Sequence, residues 1–190
     1  INTIVVEADG SLSASNTDAF GFIECLRDEK PDWRADAGPA VVMGAGGGSR
    51  AVVASLAERG AREIRVVNRT LERAHRLAAD FGAPVRAIPW AQRHEALDGA
   101  GLMVNTTSQG MKGQPPLDLA LDRLPRSALV CDIVYVPLET PLTTAARQRG
   151  NPVVNGLGML IHQARAAFKA WFGVIPEATP ELRKLVEATI

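Results

Sequence analysis

The stretch that decides the fold is Val41-Val42-Met43-Gly44-Ala45-Gly46-Gly47-Gly48-Ser49-Arg50. A short apolar run, typical of a buried strand, leads into a glycine-rich turn that opens a helix. Such a turn brings bare backbone N–H groups together, and the N-terminus of the helix adds about half a positive charge behind them. This pattern predicts a pyrophosphate site formed by Gly44, Ala45, Gly46, Gly47 and Gly48. In the alternative interpretation, the glycines only form a tight turn.

The next apolar strand, Glu63–Val67, is followed by Asn68-Arg69-Thr70. In dinucleotide-binding folds a residue at the carboxyl end of this strand contacts the adenosine ribose. It is usually an Asp or Glu that binds a free 2′-hydroxyl. A carboxylate would repel a 2′-phosphate, whereas the guanidinium of Arg69 can bind it with two charge-assisted hydrogen bonds. Arg73 lies one helical turn further on and is either a second phosphate ligand or a surface residue. We therefore expect NADP(H) as the cofactor, contacted by Asn68, Arg69, Thr70 and Arg73.

Strands and amphipathic helices alternate through most of the chain. The predicted strands are Ala40–Met43, Glu63–Val67, Val85–Ile88, Gly101–Asn105, Ala128–Val134 and Pro152–Val154. The predicted helices between and after them are Ser49–Arg59, Leu71–Phe81, Ala91–Leu97, Leu142–Arg149, Leu157–Phe172 and Pro180–Ala188. Near-continuous Val/Ile/Leu strands indicate a parallel sheet that is covered on both faces. The fold class is therefore α/β, with a doubly wound, six-stranded Rossmann sheet and a ligand crevice at the carboxyl ends of the strands.

The first residues follow a different pattern. Thr3–Glu7 and Leu12–Ser15 predict a hairpin that turns at Asp9-Gly10. Asn16-Thr17-Asp18 predicts the cap of a helix that runs to about Asp28, with Phe20, Ile23 and Leu26 on one face. The polar stretch from Glu29 to Gly38 resembles a linker.

Composition argues against several classes of partner. Lys plus Arg and Asp plus Glu both number 21, so no net charge attracts nucleic acid or an anionic membrane. The chain shows no apolar run long enough to span a bilayer and no signal-peptide pattern. Cys25 and Cys131 lie in apolar segments without metal-ligand spacing, which indicates buried thiols, no metal site and a cytoplasmic location.

Small polar residues or glycines follow the last three predicted strands. They are Asn105-Thr106-Thr107-Ser108, Asp132 to Tyr135, and Asn155-Gly156-Leu157-Gly158. At these positions in a doubly wound sheet we expect the nicotinamide ribose and the substrate. Gly156 and Gly158 have an alternative role as helix-entry residues.

Seven motifs, in this order and spacing, resemble the shikimate dehydrogenase family. They are Asn2-Thr3-Ile4, Asn16-Thr17-Asp18, Gly44–Arg50, Asn68-Arg69-Thr70-x-x-Arg73-Ala74, Asn105-Thr106-Thr107-Ser108-x-Gly110-Met111, Asp132-x-x-Tyr135-x-Pro137-x-x-Thr140-Pro141-Leu142 and Gly156-x-Gly158-Met159-Leu160-x-x-Gln163. The family reduces 3-dehydroshikimate to shikimate with NADPH, on the route to chorismate and the aromatic amino acids. The resemblance implies that residues 1–30 are a remnant of a substrate domain and that residues 31–190 form the NADP-binding domain.

The resemblance also implies roles that the pattern alone does not show. Asn2, Asp18, Tyr135 and Gln163 would contact the substrate, with Asp18 as the catalytic half of a Lys–Asp pair. Ile133 and Gly156 would lie at the nicotinamide end of the cofactor, and Ile133 stands where many relatives carry Met. Without the resemblance, Asp18 is a helix N-terminal residue that the helix dipole favours, and Gln163 is a surface amide.

The departure from the family pattern that matters concerns the substrate domain. The family's Ser-x-Ser motif for the substrate carboxylate and its catalytic lysine belong to an N-terminal domain, and this chain is expected to start inside the last hairpin of that domain. No Ser-x-x-x-Pro-x-Lys pattern occurs, and the lysines are Lys30, Lys112, Lys169 and Lys184. We therefore expect the C-terminal portion of such an enzyme, which binds NADPH but alone turns over little or no substrate.

The sequence leaves three alternatives to a shikimate dehydrogenase open. A quinate or aminoshikimate dehydrogenase would keep most of these residues, and a non-catalytic NADPH-binding module would keep the cofactor site. Glutamyl-tRNA reductase has a similar cofactor domain but lacks the Asn16-Thr17-Asp18 and Gly158-to-Gln163 motifs. The sequence does not show whether the chain forms a homodimer.

Overall fold

The computed structural model describes all 190 residues and contains two sheets. Strands β1 (Thr3–Val6) and β2 (Leu12–Ser15) form the predicted antiparallel hairpin. The remaining strands are β3 (Ala40–Met43), β4 (Ile64–Asn68), β5 (Val85–Pro89), β6 (Leu102–Asn105), β7 (Leu129–Asp132) and β8 (Val153–Val154). They form one six-stranded sheet in the order β5-β4-β3-β6-β7-β8, and every pair in it is parallel.

The strand order explains where a ligand can bind. From β3 the chain moves outward to β4 and β5, and it then returns to the other side of β3 for β6, β7 and β8. The connections leave β3 and β6 in opposite directions, which opens a crevice at the carboxyl ends of these two strands. The prediction of a doubly wound Rossmann sheet is therefore confirmed.

Six α-helices accompany the sheet: α1 (Asp18–Glu29), α2 (Gly47–Glu58), α3 (Leu71–Phe81), α4 (Pro141–Arg149), α5 (Gly156–Phe172) and α6 (Pro180–Glu187). Local chemistry fixes several of their ends. Thr140 caps α4 by accepting a hydrogen bond from the backbone N–H of Thr143, and Gly150 ends that helix at φ +86°. The helix predicted over Ala91–Leu97 is wrong, because this segment forms two short 3₁₀ turns, Trp90–Gln92 and Glu95–Leu97.

Each face of the sheet packs against its own apolar cluster. Because side chains alternate along a strand, Val42 faces one cluster and its neighbours Val41 and Met43 face the other. The first cluster includes Phe22, Ile23, Cys25 and Leu26 of α1. Helix α1 therefore packs into the same core as the sheet. Of the three residues predicted to share one face, Ile23 and Leu26 belong to this buried stripe, whereas Phe20 lies at its edge and is 36% exposed.

No helix of the structure combines the length and the apolar character that a membrane span requires.

Candidate functional site

The glycine turn lies between β3 and α2, at the carboxyl end of the central strand. Gly44 has φ +111°, and a Cβ added to it would lie 2.8 Å from Thr106 Oγ1, so only glycine fits there. By contrast, a Cβ added to Gly46 or Gly47 would meet nothing within 4 Å. The backbone of these two residues therefore faces open space, as the predicted pyrophosphate site requires.

Ser49 fixes the shape of this turn. Its side chain is fully buried, and its Oγ accepts a hydrogen bond from the backbone N–H of Gly46 at 3.2 Å. Thr106 Oγ1 lies 2.5 Å from Ser49 Oγ and donates to the carbonyl of Met43 at 2.7 Å, so Ser49 is the donor to Thr106. The pattern of the turn alone does not predict this role. A hydroxyl residue where glycine or alanine is usual was the signal that could have found it.

A cleft of about 360 Å³ opens in front of the turn, between α2 and α3. Its lining residues are Ala45, Gly46, Gly47, Arg50, Arg73, Arg76 and Leu77. It therefore presents three guanidinium groups and no carboxylate. This donor set suits a ligand that carries several phosphate charges, and a dinucleotide with a 2′-phosphate fits it.

The residues at the tip of β4 are arranged differently from the predicted phosphate clamp. Asn68 Nδ2 donates to the carbonyl of Thr70 at 2.8 Å and so shapes the turn into α3. Arg69 is exposed beside this turn and is not among the residues that line the cleft. Arg73 does line it. Sequence reasoning missed Arg76, which resembles any solvated residue of an amphipathic helix.

A second cleft, of about 330 Å³, lies at the ends of β6 and β7. It is lined by Thr106, Thr107, Ser108, Met111, Ile133, Val134, Tyr135 and Val136. Ile133 also connects this region to the glycine turn, because a Cβ added to Gly48 would lie 3.0 Å from Ile133 Cδ1. Ile133 is thus close to α2, as a residue at the nicotinamide end would be.

Asp132 holds the loop that carries Ile133 and Tyr135. Its carboxylate is fully buried and accepts hydrogen bonds from Asn105 Nδ2 (3.0 Å), the backbone N–H of Val134 (3.1 Å) and Thr140 Oγ1 (2.7 Å). Burial raises the pKa of Asp132 to about 6, although these three hydrogen bonds act to lower it.

Gly156 allows α5 to begin against the end of β7. A Cβ at this position would overlap the carbonyl of Ile133, and the backbone N–H of Gly156 donates to the carbonyl of Val134 at 3.1 Å. The glycine is therefore required for close backbone approach, at the same place where the resemblance puts the nicotinamide.

Three of the four predicted substrate residues come together although they are far apart in the sequence. Asn2 Nδ2 donates to Asp18 Oδ1 at 2.9 Å and to Gln163 Oε1 at 3.3 Å. Asn2 Oδ1 accepts from the backbone N–H and the hydroxyl of Thr17, at 3.0 and 3.1 Å. The helix does begin at the predicted segment, with Thr17 as its N-cap residue, but the Thr17 side chain binds Asn2 and not the helix. Asn16 instead accepts from the backbone N–H of Asp18.

Two glycines bring α1 and α5 close enough to form this cluster. A Cβ on Gly21 would lie 2.7 Å from the carbonyl of Met159 and 2.9 Å from Gln163 Cβ. A Cβ on Gly158 would lie 2.5 Å from Cys25 Sγ. The helices thus touch backbone to backbone, which places Gln163 beside the start of α1.

The cluster borders a third cleft of about 330 Å³, lined by Asn2, Thr17, Leu160, Gln163, Ala164, Ala167 and Trp171. Trp171 Nε1 donates to the carbonyl of Ile4 at 3.0 Å and so attaches the hairpin to α5. Tyr135, the fourth predicted substrate residue, lines the second cleft instead. None of the four lysines forms a hydrogen bond or ion pair with Asp18.

Comparisons with known proteins agree with this arrangement. A family described as shikimate / quinate 5-dehydrogenase matches residues 30–112, and one described as the shikimate 5'-dehydrogenase C-terminal domain matches residues 156–180. A shikimate dehydrogenase (NADP(+)) from Paramagnetospirillum magneticum is 55% identical over 186 residues, which are 98% of this chain and 67% of the relative.

Solved structures give the same result. Quinate dehydrogenase from Corynebacterium glutamicum in complex with NAD has a TM-score of 0.89 at 29% identity, over 97% of this chain and 66% of that one. Shikimate 5-dehydrogenase from Thermus thermophilus in complex with NADP(H) and shikimate has a TM-score of 0.82 at 35% identity, over 98% and 66%. The chain spans about two thirds of the length of these relatives. Sequence and structure together show that it belongs to the shikimate dehydrogenase family.

Proposed function

We propose that this chain binds NADP(H) and shikimate and takes part in the NADPH-dependent reduction of 3-dehydroshikimate to shikimate. The observation that carries the proposal is the hydrogen-bonded cluster of Asn2, Asp18 and Gln163. Such a set of one carboxylate and two amides offers several donors and acceptors in one place, which suits a small ring with several hydroxyl groups. The relative from P. magneticum and the T. thermophilus structure support the same substrate and cofactor.

The residues divide between cofactor and substrate. Gly46 and Gly47 would hold the pyrophosphate, Arg73 the 2′-phosphate, and Ile133 and Gly156 would border the nicotinamide. Bound NADPH supplies the hydride for the carbonyl reduction. Arg69, in this proposal, approaches the adenosine ribose from the solvent side.

The substrate residues act by orientation. The carboxylate of Asp18 is an acceptor, so it binds a ring hydroxyl and fixes the position of the proton that this hydroxyl carries. Asn2 holds Asp18 in place through the 2.9 Å hydrogen bond, while its own carbonyl is held by Thr17. Gln163 Nε2 is available to donate to a second ring oxygen. Tyr135 would close the site from the side of the second cleft.

Calorimetric titration of shikimate into this chain saturated with NADP⁺ tests the proposal. We expect saturable binding, and we expect Asp18→Asn to weaken it at least tenfold because a charged acceptor is lost. Asp122→Asn, on an exposed aspartate without an ion-pair partner, is the matched control and should change nothing. Absence of shikimate binding by the unmodified chain, with NADP⁺ bound, would refute the assignment of the cluster to this substrate.

Quinate is a second candidate substrate, because the quinate dehydrogenase from C. glutamicum superposes with a TM-score of 0.89. The same titration with quinate separates the two. We expect shikimate to bind more tightly, and a reversed order would identify the chain with the quinate branch of the family.

The remaining proposals concern the partners, the cellular location and the oligomeric state of the chain. Equal numbers of acidic and basic residues support function without a nucleic-acid or membrane partner. Cys25 and Cys131 are buried free thiols that form no disulfide, which supports a reducing, cytoplasmic compartment. A homodimer is testable by sedimentation of this chain at several concentrations.

A further inference from the structure

Arg76 has no ion-pair partner although two carboxylates lie at the spacing that favours pairing. Glu72 precedes it by four residues on α3 and Asp80 follows it by four. Pairs at this spacing on a helix normally attract one another. Asp80 is instead bound to Arg50 of α2, and Arg76 forms no ion pair with Glu72.

Arg50 is occupied in a second way as well. Its guanidinium lies 5.5 Å from the centroid of the Phe81 ring, in addition to its contact with Asp80. Three guanidinium groups line the cleft at the glycine turn. The one of Arg50 is already bound to Asp80 and Phe81, and these contacts join α2 to α3. Arg73 and Arg76 remain without a carboxylate partner.

Arg73 and Arg76 lie three residues apart on α3 and so project from one face of the helix. Both line the cleft that also contains Gly46 and Gly47. Two unpaired cations on one wall of a cleft repel each other, and this cost is removed when an anion lies between them. A 2′-phosphate carries nearly two negative charges, so it neutralises both guanidinium groups, whereas a ribose hydroxyl neutralises neither.

We propose that Arg76 binds the 2′-phosphate of NADP(H) together with Arg73 and so helps to select NADP(H) over NAD(H). This inference rests on the cofactor assignment proposed above. Arg50 then acts as a positioning residue, because by holding Asp80 it keeps that carboxylate away from Arg76.

The test compares the dissociation constants of NADPH and NADH for the chain and for three variants. We expect Arg76→Gln to weaken NADPH roughly 5- to 20-fold and to leave NADH within about twofold, because a charge-assisted hydrogen bond to a group present only in NADPH is lost. Arg73→Gln should have a similar effect. Arg59→Gln removes a charge at the opposite end of the twelve-residue helix α2, about 18 Å from the turn, and should change neither constant.

The outcomes distinguish a failure of the proposed cofactor from a failure of the role proposed for Arg76. Failure of the unmodified chain to bind NADPH would overturn the proposed cofactor. If Arg73→Gln loses preference for NADPH and Arg76→Gln does not, the cofactor stands and the role of Arg76 is overturned. An equal loss of NADPH and NADH in Arg76→Gln would also overturn it, because that result points to the shared pyrophosphate. Arg76 is exposed, so unfolding temperatures should be unchanged.

Discussion

Asn105 and Asp132 form a buried side-chain hydrogen bond of 3.0 Å that links the last residues of β6 and β7. Both side chains are fully buried. The bond fixes the two strand ends from which the loops of the second cleft depart, so the geometry of the proposed nicotinamide end depends on a polar pair inside the sheet.

Asp132 should make stability depend on pH. Its pKa is raised to about 6, so the folded state binds a proton more tightly than the unfolded chain does. Its contribution to stability is therefore largest below about pH 4 and falls by about 3 kcal/mol as the pH rises through 6. We expect Asp132→Asn to remove this decrease, as measured by urea unfolding between pH 4 and 7. Asp122→Asn should keep it, and an unchanged slope in Asp132→Asn would contradict the assignment.

His162 should make the stability of the fold decrease as the pH falls. It is buried, with Nε2 2.9 Å from Asp28 Oδ2 and Nδ1 2.6 Å from Arg165 Nη1. Burial lowers its pKa, and Arg165 lowers it further, while Asp28 opposes the shift. The unfolded chain then binds the proton more tightly, so stability is lost as the pH falls below about 6.5. In the Asp132→Asn background, His162→Gln should flatten the remaining slope; persistence of the slope would show that another group titrates.

The contact between Gly158 and Cys25 should control both stability and shikimate binding. Gly158→Ala forces a methyl group against Cys25 Sγ, and we expect a loss of about 1–3 kcal/mol in unfolding free energy together with weaker shikimate binding, because Gln163 moves with α5. Adding Cys25→Ala removes the sulfur and should restore part of both. Simple additivity of the two changes in a double-mutant cycle would argue against the contact.

Arg69 should also contribute to cofactor choice. Arg69→Asp places a carboxylate beside the proposed position of the adenosine ribose, and we expect the ratio of NADPH to NADH affinity to fall at least tenfold. Fluorescence titration with both cofactors measures this ratio, and Arg59→Asp controls for the change in net charge. An unmoved ratio would leave phosphate recognition to Arg73 and Arg76 alone.

Turnover by this chain should be low. Reduction of a carbonyl requires a proton donor beside the new alkoxide, and no lysine contacts Asp18. We expect NADPH to bind while its oxidation by 3-dehydroshikimate stays at least a hundredfold below that of a full-length relative. Comparable rates would show that another group of this chain donates the proton.

The features that local pattern predicts are the six strands, the hairpin and the glycine turn. The apolar run before Gly44 and the residues of the turn itself are sufficient for this, because strand and turn preferences act over a few residues. Gly60 (φ +80°) and Gly82 (φ +64°), which follow the ends of α2 and α3, are a further local signal of this kind, because glycine favours the positive φ that ends a helix.

The remaining features depend on contacts between distant segments. The role proposed for Arg76 depends on Arg50, because Arg50 forms an ion pair with Asp80, the carboxylate one helical turn from Arg76. Gly158 and Cys25 meet only because α1 and α5 cross there. Asn2 reaches Gln163 across 161 positions of the chain. Residue type and spacing do not predict such pairs, because the fold brings the two partners together. The prediction that Asn2 and Gln163 bind substrate rests on the family resemblance alone.

The proposed determinants of the two ligands lie on opposite sides of the central strand. The arginines proposed to discriminate between coenzymes belong to α3 and its entry turn, whereas the amides and the carboxylate proposed to bind the ring belong to the start of the hairpin, α1 and α5. Because no side chain belongs to both proposed sets, we expect coenzyme preference to be separable from substrate binding. Exchanging the arginines of α3 should then shift this chain from NADP towards NAD without any change to the pocket for the hydroxy acid.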